Sequence, residues 1–271
     1  MPDSPPFESI ASWRGCASLV WLVGLLAWET TAPYFHQVES WEDRKRHGLR
    51  NLAFAVANAV AVAIVFAGLW RWIAHWAEAH RFGLLNLVGA SWPVALRAFV
   101  AIVLLDAWTY GWHRATHAVP WLWRFHRVHH SDPTMDATTA NRFHPGEIVV
   151  SSVLRLALLP LLGIRFGELV LYETVLQCVV QLHHANVGLS PAVERIVGLV
   201  FVMPGMHKVH HSVERDETDS NYGSLGSFWD RAFGTYRSRR DPENLRFGLE
   251  GQEPEERQRL ATLWRWPWER P

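Results

Sequence analysis

Long apolar runs separated by polar stretches dominate the sequence. Three runs approach or reach the roughly 20 mainly apolar residues that a helix needs to cross a bilayer, and they cover residues 16–35, 52–72 and 94–112. A fourth apolar region, residues 148–182, is long enough for two shorter helices that turn near Gly163. The pattern therefore predicts an all-α fold: an integral membrane helical bundle of three long spans plus a helical hairpin.

Basic residues in the short loops indicate the orientation, because Arg and Lys are retained on the cytoplasmic side of a membrane. Four of them lie between positions 44 and 50, after the first run, whereas the loop after the second run contains fewer. A cytoplasmic first loop would place residues 113–142, and everything from His183 onward, on that same face. We therefore expect a multi-pass membrane protein with a His-rich cytosolic cap.

Charge and cysteine content exclude several classes of protein. The formal net charge is +0, so the chain has no overall basic field of the kind that collects nucleic acid. The two cysteines, Cys16 and Cys178, lie in apolar runs without CxxC spacing, which argues against a disulfide framework or a thiolate metal site. The first twelve residues do not resemble a cleaved secretory signal, so we expect the first apolar run to be retained.

Histidines carry the strongest chemical signal. Eleven of the fifteen lie between His113 and His211, and three clusters stand out: HRATH at 113–117, HRVHH at 126–130 and HKVHH at 207–211. Residues three and four apart share one face of a helix, so each cluster can direct two or three imidazoles into one space. The eight are His113, His117, His126, His129, His130, His207, His210 and His211. Such a set suits Fe, Zn, Cu or Ni by ligand type, and it exceeds the four ligands of a structural zinc site.

Asp106 and Tyr110 extend the first cluster along one helical stripe, because positions 106, 110, 113 and 117 step by four, three and four. A carboxylate inside a membrane helix is costly and suggests a function. We expect Asp106 to accept the outer N–H of a ligating histidine, as carboxylates beside metal sites often do. The alternative is an interfacial Asp that pairs with Arg114 or another cation.

Six stretches together resemble the fatty acid hydroxylase and sterol desaturase superfamily. They are DAWTYGWHRATH, WLWRFHRVHHSD, TTANRFHPGEI, QLHHANVGLS, MPGMHKVHHS and TDSNYGSLGSFWDRAFGTY, and they lie within residues 105–236. The resemblance implies a histidine-ligated centre of two iron ions that uses O2 and two external electrons to oxidise a C–H bond of a membrane lipid. No dinucleotide fingerprint appears in the chain. A separate electron donor, a ferredoxin or a cytochrome b5-like protein with its reductase, is therefore expected.

The resemblance also assigns residues. It matches the eight clustered histidines to metal ligands and adds His184, with Asn186 beside it, as the residue that closes the set. His183 is an extra neighbour, and His144 occupies a family position that we expect to act beside the ligands or on the substrate side, with Glu147. Three regions follow: membrane spans over 1–104, a catalytic domain over 105–236, and a tail over 237–271 that is either an interfacial patch or a plain surface helix.

Several functions are compatible with these residues. Hydroxylation of a lipid is favoured, and desaturation at the same centre is the alternative within the family. A membrane metal-binding or transport protein would spread its ligands through the bilayer, whereas these gather at span ends. A zinc hydrolase lacks an HExxH pairing here. Four arginines near the clusters, which could bind lipid headgroups or an acidic redox partner or simply be cytoplasmic-side charge, are Arg114, Arg124, Arg127 and Arg142.

Overall fold

The structure is a computed structural model that describes residues 10–36 and 40–269. The described residues form helices and loops, with two isolated β-bridges, Phe201 with Gly226 and Ser212 with Phe247. The first eight α-helices in chain order are α1 (Ile10–Thr31), α2 (Trp41–Ala61), α3 (Ala67–Ala79), α4 (Leu84–Val88), α5 (Val94–Ala118), α6 (Pro120–His130), α7 (Pro145–Leu162) and α8 (Phe166–His184). They are followed by six short helices: α9 (Pro191–Ile196), α10 (Pro204–His210), α11 (Arg215–Thr218), α12 (Phe228–Ala232), α13 (Glu255–Gln258) and α14 (Leu260–Arg265). The predicted all-α fold is confirmed.

Three of the described helical segments are long and apolar enough to cross a membrane: Trp41–Val88, Val94–Ala118 and Pro145–Leu162. The first combines α2, a π-helical turn at Val62–Phe66, α3 and α4. Their apolar side chains point largely outward, as lipid-facing residues do; Ile64, for example, is 79% exposed. The predicted second and third runs and the first arm of the hairpin therefore correspond to helices that are long and apolar enough to cross a membrane.

The first predicted run and the second arm of the hairpin are helical but fall outside these three segments. Helix α1 starts and ends earlier than predicted, because the chain leaves the helix after Thr31 and enters a loop. Helix α8 contains two acidic residues, Glu168 and Glu173, that lower its hydropathy. Both helices lie side by side, and Trp21 Nε1 donates to the Cys178 carbonyl at 2.9 Å.

The hairpin turns at Gly163, as the sequence predicts. Gly163 has φ 69°, a left-handed conformation that a side chain disfavours, and its amide bonds back to Pro160. Arg97 connects the helix ends at this side of the bundle. Its guanidinium donates to the Gly163 carbonyl at 2.8 Å and pairs with Glu168 at 2.8 Å. The far end of the bundle is thus closed, and the site lies at the other end.

Prolines mark the starts of three helices that lie around the histidines. Pro120, Pro145 and Pro204 occupy first-turn positions of α6, α7 and α10. Proline lacks an N–H, and a first-turn N–H has no partner within the helix, so no hydrogen bond is lost there. Pro120 also explains why α5 and α6 are separate helices: the chain breaks after Ala118 and restarts one residue later. This break folds α6 back against α5 and brings the first two histidine clusters together.

The tail packs on the cap instead of standing free. Trp264 stacks on Phe54 with ring centroids 5.8 Å apart, and the Trp266 carbonyl accepts from Arg127 at 2.6 Å. Gln258 is buried and donates to the Ser131 carbonyl at 2.9 Å. Residues 255–268 therefore cover helix α6 and the loop after it, while Trp268 stays 69% exposed.

Candidate metal centre

Nine buried histidines converge in two adjacent groups. Within each group, one potential ligand atom from every member lies within 4.8 Å of the others. The first group has five members: His113, His117, His126, His130 and His210. The second has four: His129, His184, His207 and His211. The structure thus brings together the eight clustered histidines and His184, and it divides each HxxHH cluster between the two groups.

Neighbouring elements supply each group. Helix α5 ends with the first cluster, α6 carries the second, α8 ends at His184, and α10 with His211 carries the third. The ring nitrogens lie edge to edge: Nε2 of His113 is 2.9 Å from Nε2 of His210, and Nε2 of His184 is 3.1 Å from Nε2 of His207. Two ligands about 2.0–2.1 Å from a common ion and at right angles to each other are about 3 Å apart. The spacing therefore suits two ions, one for each group.

Backbone carbonyls orient three of the rings. Nδ1 of His113 donates to the Tyr222 carbonyl at 2.8 Å, and Nδ1 of His210 donates to the Ser220 carbonyl at 2.6 Å. Nδ1 of His184 donates to the carbonyl one turn earlier, at Val180, at 2.7 Å. Because a carbonyl can only accept, the proton of each neutral ring is on Nδ1, and each Nε2 presents a lone pair to the interior.

Carboxylates orient two more rings. Glu147, at the start of α7, lies 3.0 and 3.1 Å from Nδ1 of His126 with its two oxygens. Asp219 lies 3.2 Å from Nδ1 of His117. A carboxylate on the outer nitrogen fixes the tautomer and raises the basicity of the inner one, which strengthens a bond to a metal.

The lone pairs on Nε2 of His113 and of His210 show whether a cation fits between the rings. His113 and His210 both donate their Nδ1 protons to carbonyls, and their Nε2 atoms face each other at 2.9 Å. Two lone pairs at this distance repel unless a proton or a metal ion lies beside them. Burial lowers the pKa of His210 to about 3, so a shared proton is disfavoured at neutral pH. A metal ion satisfies both nitrogens, and the donor set fits it.

Four further rings of the two groups are also held in the neutral form. Burial, followed by the neighbouring imidazoles, holds the pKa of His129, His130, His207 and His211 well below its ordinary value. Buried ring nitrogens without a protein partner remain among the described residues, including Nε2 of His117 and of His211. Unpaired buried nitrogens are costly in an empty interior, and coordination by an ion would satisfy them.

A buried ionic network supports the second cluster from behind. Asp132, two residues after His130, receives both Nε2 of His47 at 2.8 Å and the hydroxyl of Thr139 at 2.7 Å. Burial opposes the charge on Asp132, but His47 and Arg142 outweigh it and hold its pKa below the usual range. Arg142 in turn donates to the Val128 carbonyl at 2.9 Å. This network anchors α6 to α2.

Arg142 is consequently not a headgroup or partner residue. It is fully buried, and its guanidinium donates to Asn51, Ser131 and Gln258. Arg127 lies on Trp266 of the tail, 4.4 Å from the ring centroid. Sequence reasoning placed these arginines near the clusters but could not tell an interior cation from a surface one.

Asp106 does not contact a histidine, so the prediction that it accepts from a ligating ring is wrong. Its two oxygens accept the backbone N–H groups of Leu225 and Gly226, at 3.2 and 2.9 Å, and the indole N–H of Trp229 at 2.8 Å. Asp106 lies about two turns before His113, roughly 10 Å away along α5. It holds the segment that carries the Tyr222 carbonyl, and it therefore acts on His113 only through that segment.

Tyr110 and Asn186 lie near the two histidine groups but are not members of either one. The Tyr110 hydroxyl is 2.9 Å from the Thr235 hydroxyl, and its ring stacks on Phe233 with centroids 5.3 Å apart. The Asn186 side chain accepts from the Phe35 amide and donates to the Phe35 carbonyl, both at 2.8 Å. Both residues fasten loops around the cap.

His144 and His183 have different surroundings. His144 caps helix α7 by accepting from the Gly146 amide at 3.0 Å, and its Nε2 donates to the Trp264 carbonyl at 3.1 Å. It therefore lies outside both groups. His183 stacks on His207 with centroids 3.9 Å apart, and neither of its buried nitrogens has a partner in the described part of the chain.

A cavity of about 570 Å³ leads from the histidines into the bundle. Rings from both groups line its inner end, among them His113 and His129. Apolar side chains such as Trp108, Leu169 and Leu176 form much of the remaining wall. The cavity lies between α2, α5, α7 and α8, so a ligand from the bilayer would reach the two groups through the apolar part of the protein.

Sequence reasoning missed most of the groups that orient the rings. The carbonyls of Val180, Ser220 and Tyr222 leave no signal in a sequence, because every residue carries a carbonyl. Asp219 lies in the quoted stretch TDSNYG but was not singled out, and only its distance to His117 reveals its position. A carboxylate near a histidine cluster was the available signal for both Asp219 and Glu147.

Comparison with known proteins gives one family. The family model described as fatty acid hydroxylase matches residues 98–235, which is half of the chain. The match contains all nine converging histidines, from His113 on α5 to His211 just after α10. No solved structure matches the chain significantly.

Three curated relatives are similar over this region. Ornithine lipid hydroxylase OlsE of Rhizobium tropici is 29% identical over 60% of this chain and 48% of its own length. Cholesterol 25-hydroxylase of Mus musculus is 29% identical over 54% of this chain and 48% of its own. Alkylglycerol monooxygenase of Homo sapiens is 28% identical over 60% of this chain and 35% of its own. The chain thus spans about half the length, or less, of these relatives.

Proposed function

Because the chain belongs to the fatty acid hydroxylase family, we propose that it is a membrane-bound, O2-dependent oxidoreductase that hydroxylates a C–H bond of a lipid at two iron ions. The observation that carries this proposal is the division of nine buried histidines into groups of five and four around two adjacent spaces. The relatives' names support the substrate class, since they act on ornithine lipid, cholesterol and alkylglycerol.

Iron is the part of the proposal that the donor set does not choose by itself. Neutral imidazoles bind zinc and copper as well as iron. When bound, two iron ions would supply the redox chemistry that activates O2, which redox-inert zinc cannot do. Family membership supports iron.

The protein's own residues would perform three tasks. The nine histidines hold the ions, and the carbonyls of Tyr222 and Ser220 together with Glu147 fix their ring orientations. The buried cap keeps bulk water from the centre. The cavity positions an apolar chain against the two groups and fixes which carbon faces them, which is how proximity contributes to catalysis.

We further propose that the cap faces the cytoplasm and takes its electrons from a separate protein. The four basic residues at positions 44–50, in the first turns of α2, support this orientation by the charge rule for membrane helices. A cytoplasmic cap would be accessible to a ferredoxin or to a cytochrome b5-like protein with its reductase. Cysteine labelling from the two membrane faces tests the orientation, because positions near His130 and Ser212 should label from the same, cytoplasmic side.

One experiment tests the activity. The full chain is purified anaerobically in lipid, its metal content is measured, and O2 with a ferredoxin and reductase is added together with native lipid extract. The expected result is iron in the protein and lipid products heavier by one oxygen. Products lighter by two hydrogens would instead assign desaturation. Protein that contains only zinc and consumes no O2 with any donor would refute the oxygenase.

A further inference from the structure

The end of the cavity that lies away from the histidines contains charged side chains within a mainly apolar wall. Arg155 of α7 and Glu173 of α8 both line it and form an ion pair, with Nη1 2.5 Å from Oε1. The guanidinium of Arg155 also lies over the Trp70 ring, 5.5 Å from its centroid. Both side chains belong to the helical hairpin, where a charge is costly and by default marks a functional position.

Arg14 adds a second guanidinium at the same end. Helix α1 runs parallel to α8, because Trp21 bonds to Cys178 and Glu29 accepts the Asn186 amide at 2.9 Å. Arg14 precedes Trp21 by about two turns, so it lies near the depth of Glu173 and away from the cap. It lines the cavity as well.

The distance from this polar end to the histidines follows from helix geometry. Glu147, which contacts His126, precedes Arg155 on α7 by eight residues, or about 12 Å. His184 follows Glu173 on α8 by eleven residues, or about 16 Å. The wall between them is mainly apolar, with side chains such as Leu176, Val180 and Phe143. A bound amphiphile can therefore reach from the charges to the metal groups.

We infer that the cavity binds an amphiphile with its polar head at Arg155 and Glu173, so that the carbon facing the histidines is about 12–16 Å from the head. The ion pair selects the chemistry of the head. Arg155 donates and Glu173 accepts, so a group that does both, a hydroxyl or an amide, completes the pair. This inference rests on the proposed function for the reaction, whereas the orientation of the bound molecule stands on the cavity alone.

Photocrosslinking tests the orientation of the bound molecule and does not require enzymatic turnover. Two sixteen-carbon alcohols, one with a diazirine next to the hydroxyl and one with it roughly ten bonds away, are bound to the full chain in membranes and irradiated. We expect the first to label peptides around Phe166, Leu169 and Arg155. The second should label peptides around His129 and Phe143. The reverse pattern would overturn the inference.

Matched variants test the ion pair. Arg155→Gln with Glu173→Gln removes both charges together, so neither is left buried without its partner. We expect labelling by the first probe to fall about tenfold and metal content to stay unchanged. Arg165→Gln with Glu78→Gln removes another ion pair of the bundle, with Nε to Oε1 at 2.7 Å, from outside the cavity lining, and should leave labelling unchanged. Equal labelling in both double variants would contradict the assignment.

A competition and a product analysis separate the two proposals. Unlabelled hexadecanol should displace the probes, and hexadecane, which lacks the head, should not; equal competition would overturn the role of the ion pair. Oxygen inserted next to the head would overturn the orientation and leave the proposed function intact. The expected labelling pattern with no oxygen inserted under any condition would refute the proposed function alone.

Discussion

His113 and His210 face each other with Nε2 atoms 2.9 Å apart, although each ring already donates its Nδ1 proton to a backbone carbonyl. The two residues come from different helices, α5 and α10, that lie almost a hundred residues apart in the chain. A cation beside them would relieve the repulsion of their opposed lone pairs. This relationship connects the fold, which positions the carbonyls, to the chemistry, which needs the metal.

Removal of one ring from the first group should empty that group. His210→Ala deletes one of five ligands and also frees the lone pair of His113, so we expect the loss of at least one of two metal equivalents. Metal analysis of the purified protein measures this. His80→Ala is the control, because His80 is exposed and outside both groups. Full metal content in the His210 variant would contradict the ligand assignment.

The carboxylates on the outer nitrogens should differ in importance. Glu147→Ala removes a buried partner of His126 that water cannot replace, and we expect metal affinity to fall by about 10–100-fold. Asp219→Ala should have a smaller effect, because the Asp219 side chain is 37% exposed and water can replace it. Chelator competition ranks the two variants. An equal loss in both would argue against burial as the reason.

Asp132→Asn should destabilise the cap. The substitution leaves the buried charges of His47 and Arg142 without their shared carboxylate, and breaking such a buried pair costs about 3–5 kcal/mol. Asp216→Asn breaks an exposed ion pair with Arg237 and should change stability by about 0–1 kcal/mol. Thermal unfolding of both variants with the tail intact gives the comparison. Similar melting temperatures would show that the network around Asp132 is dispensable.

Metal should stabilise the folded protein. An ion that binds only the folded state adds about 2.7 kcal/mol at a free concentration one hundred times its Kd. We therefore expect Fe(II) to raise the melting temperature of chelator-treated protein. The double variant His113→Ala with His129→Ala, which removes one ligand from each group, should lose most of this increase. A variant that is stabilised as much as the unchanged protein would place the ion elsewhere.

The sequence by itself determined most of the helices and the histidines that converge. Apolar runs predicted the three segments that are long and apolar enough to cross a membrane and the hairpin turn at Gly163, because length and hydropathy are local properties of a chain. The spacing of three and four between histidines selected the residues that converge, because this spacing places them on one helical face.

The tertiary structure decided how those histidines are grouped and oriented. It divided His129 from His130, and His210 from His211, between two groups, since adjacent residues on a helix point in different directions. It also replaced Asp106 by Glu147, Asp219 and three carbonyls as partners of the outer nitrogens. Apart from the Val180 carbonyl, which lies one turn before His184 on the same helix, these partners come from other segments, and only the packing of those segments brings them to the rings.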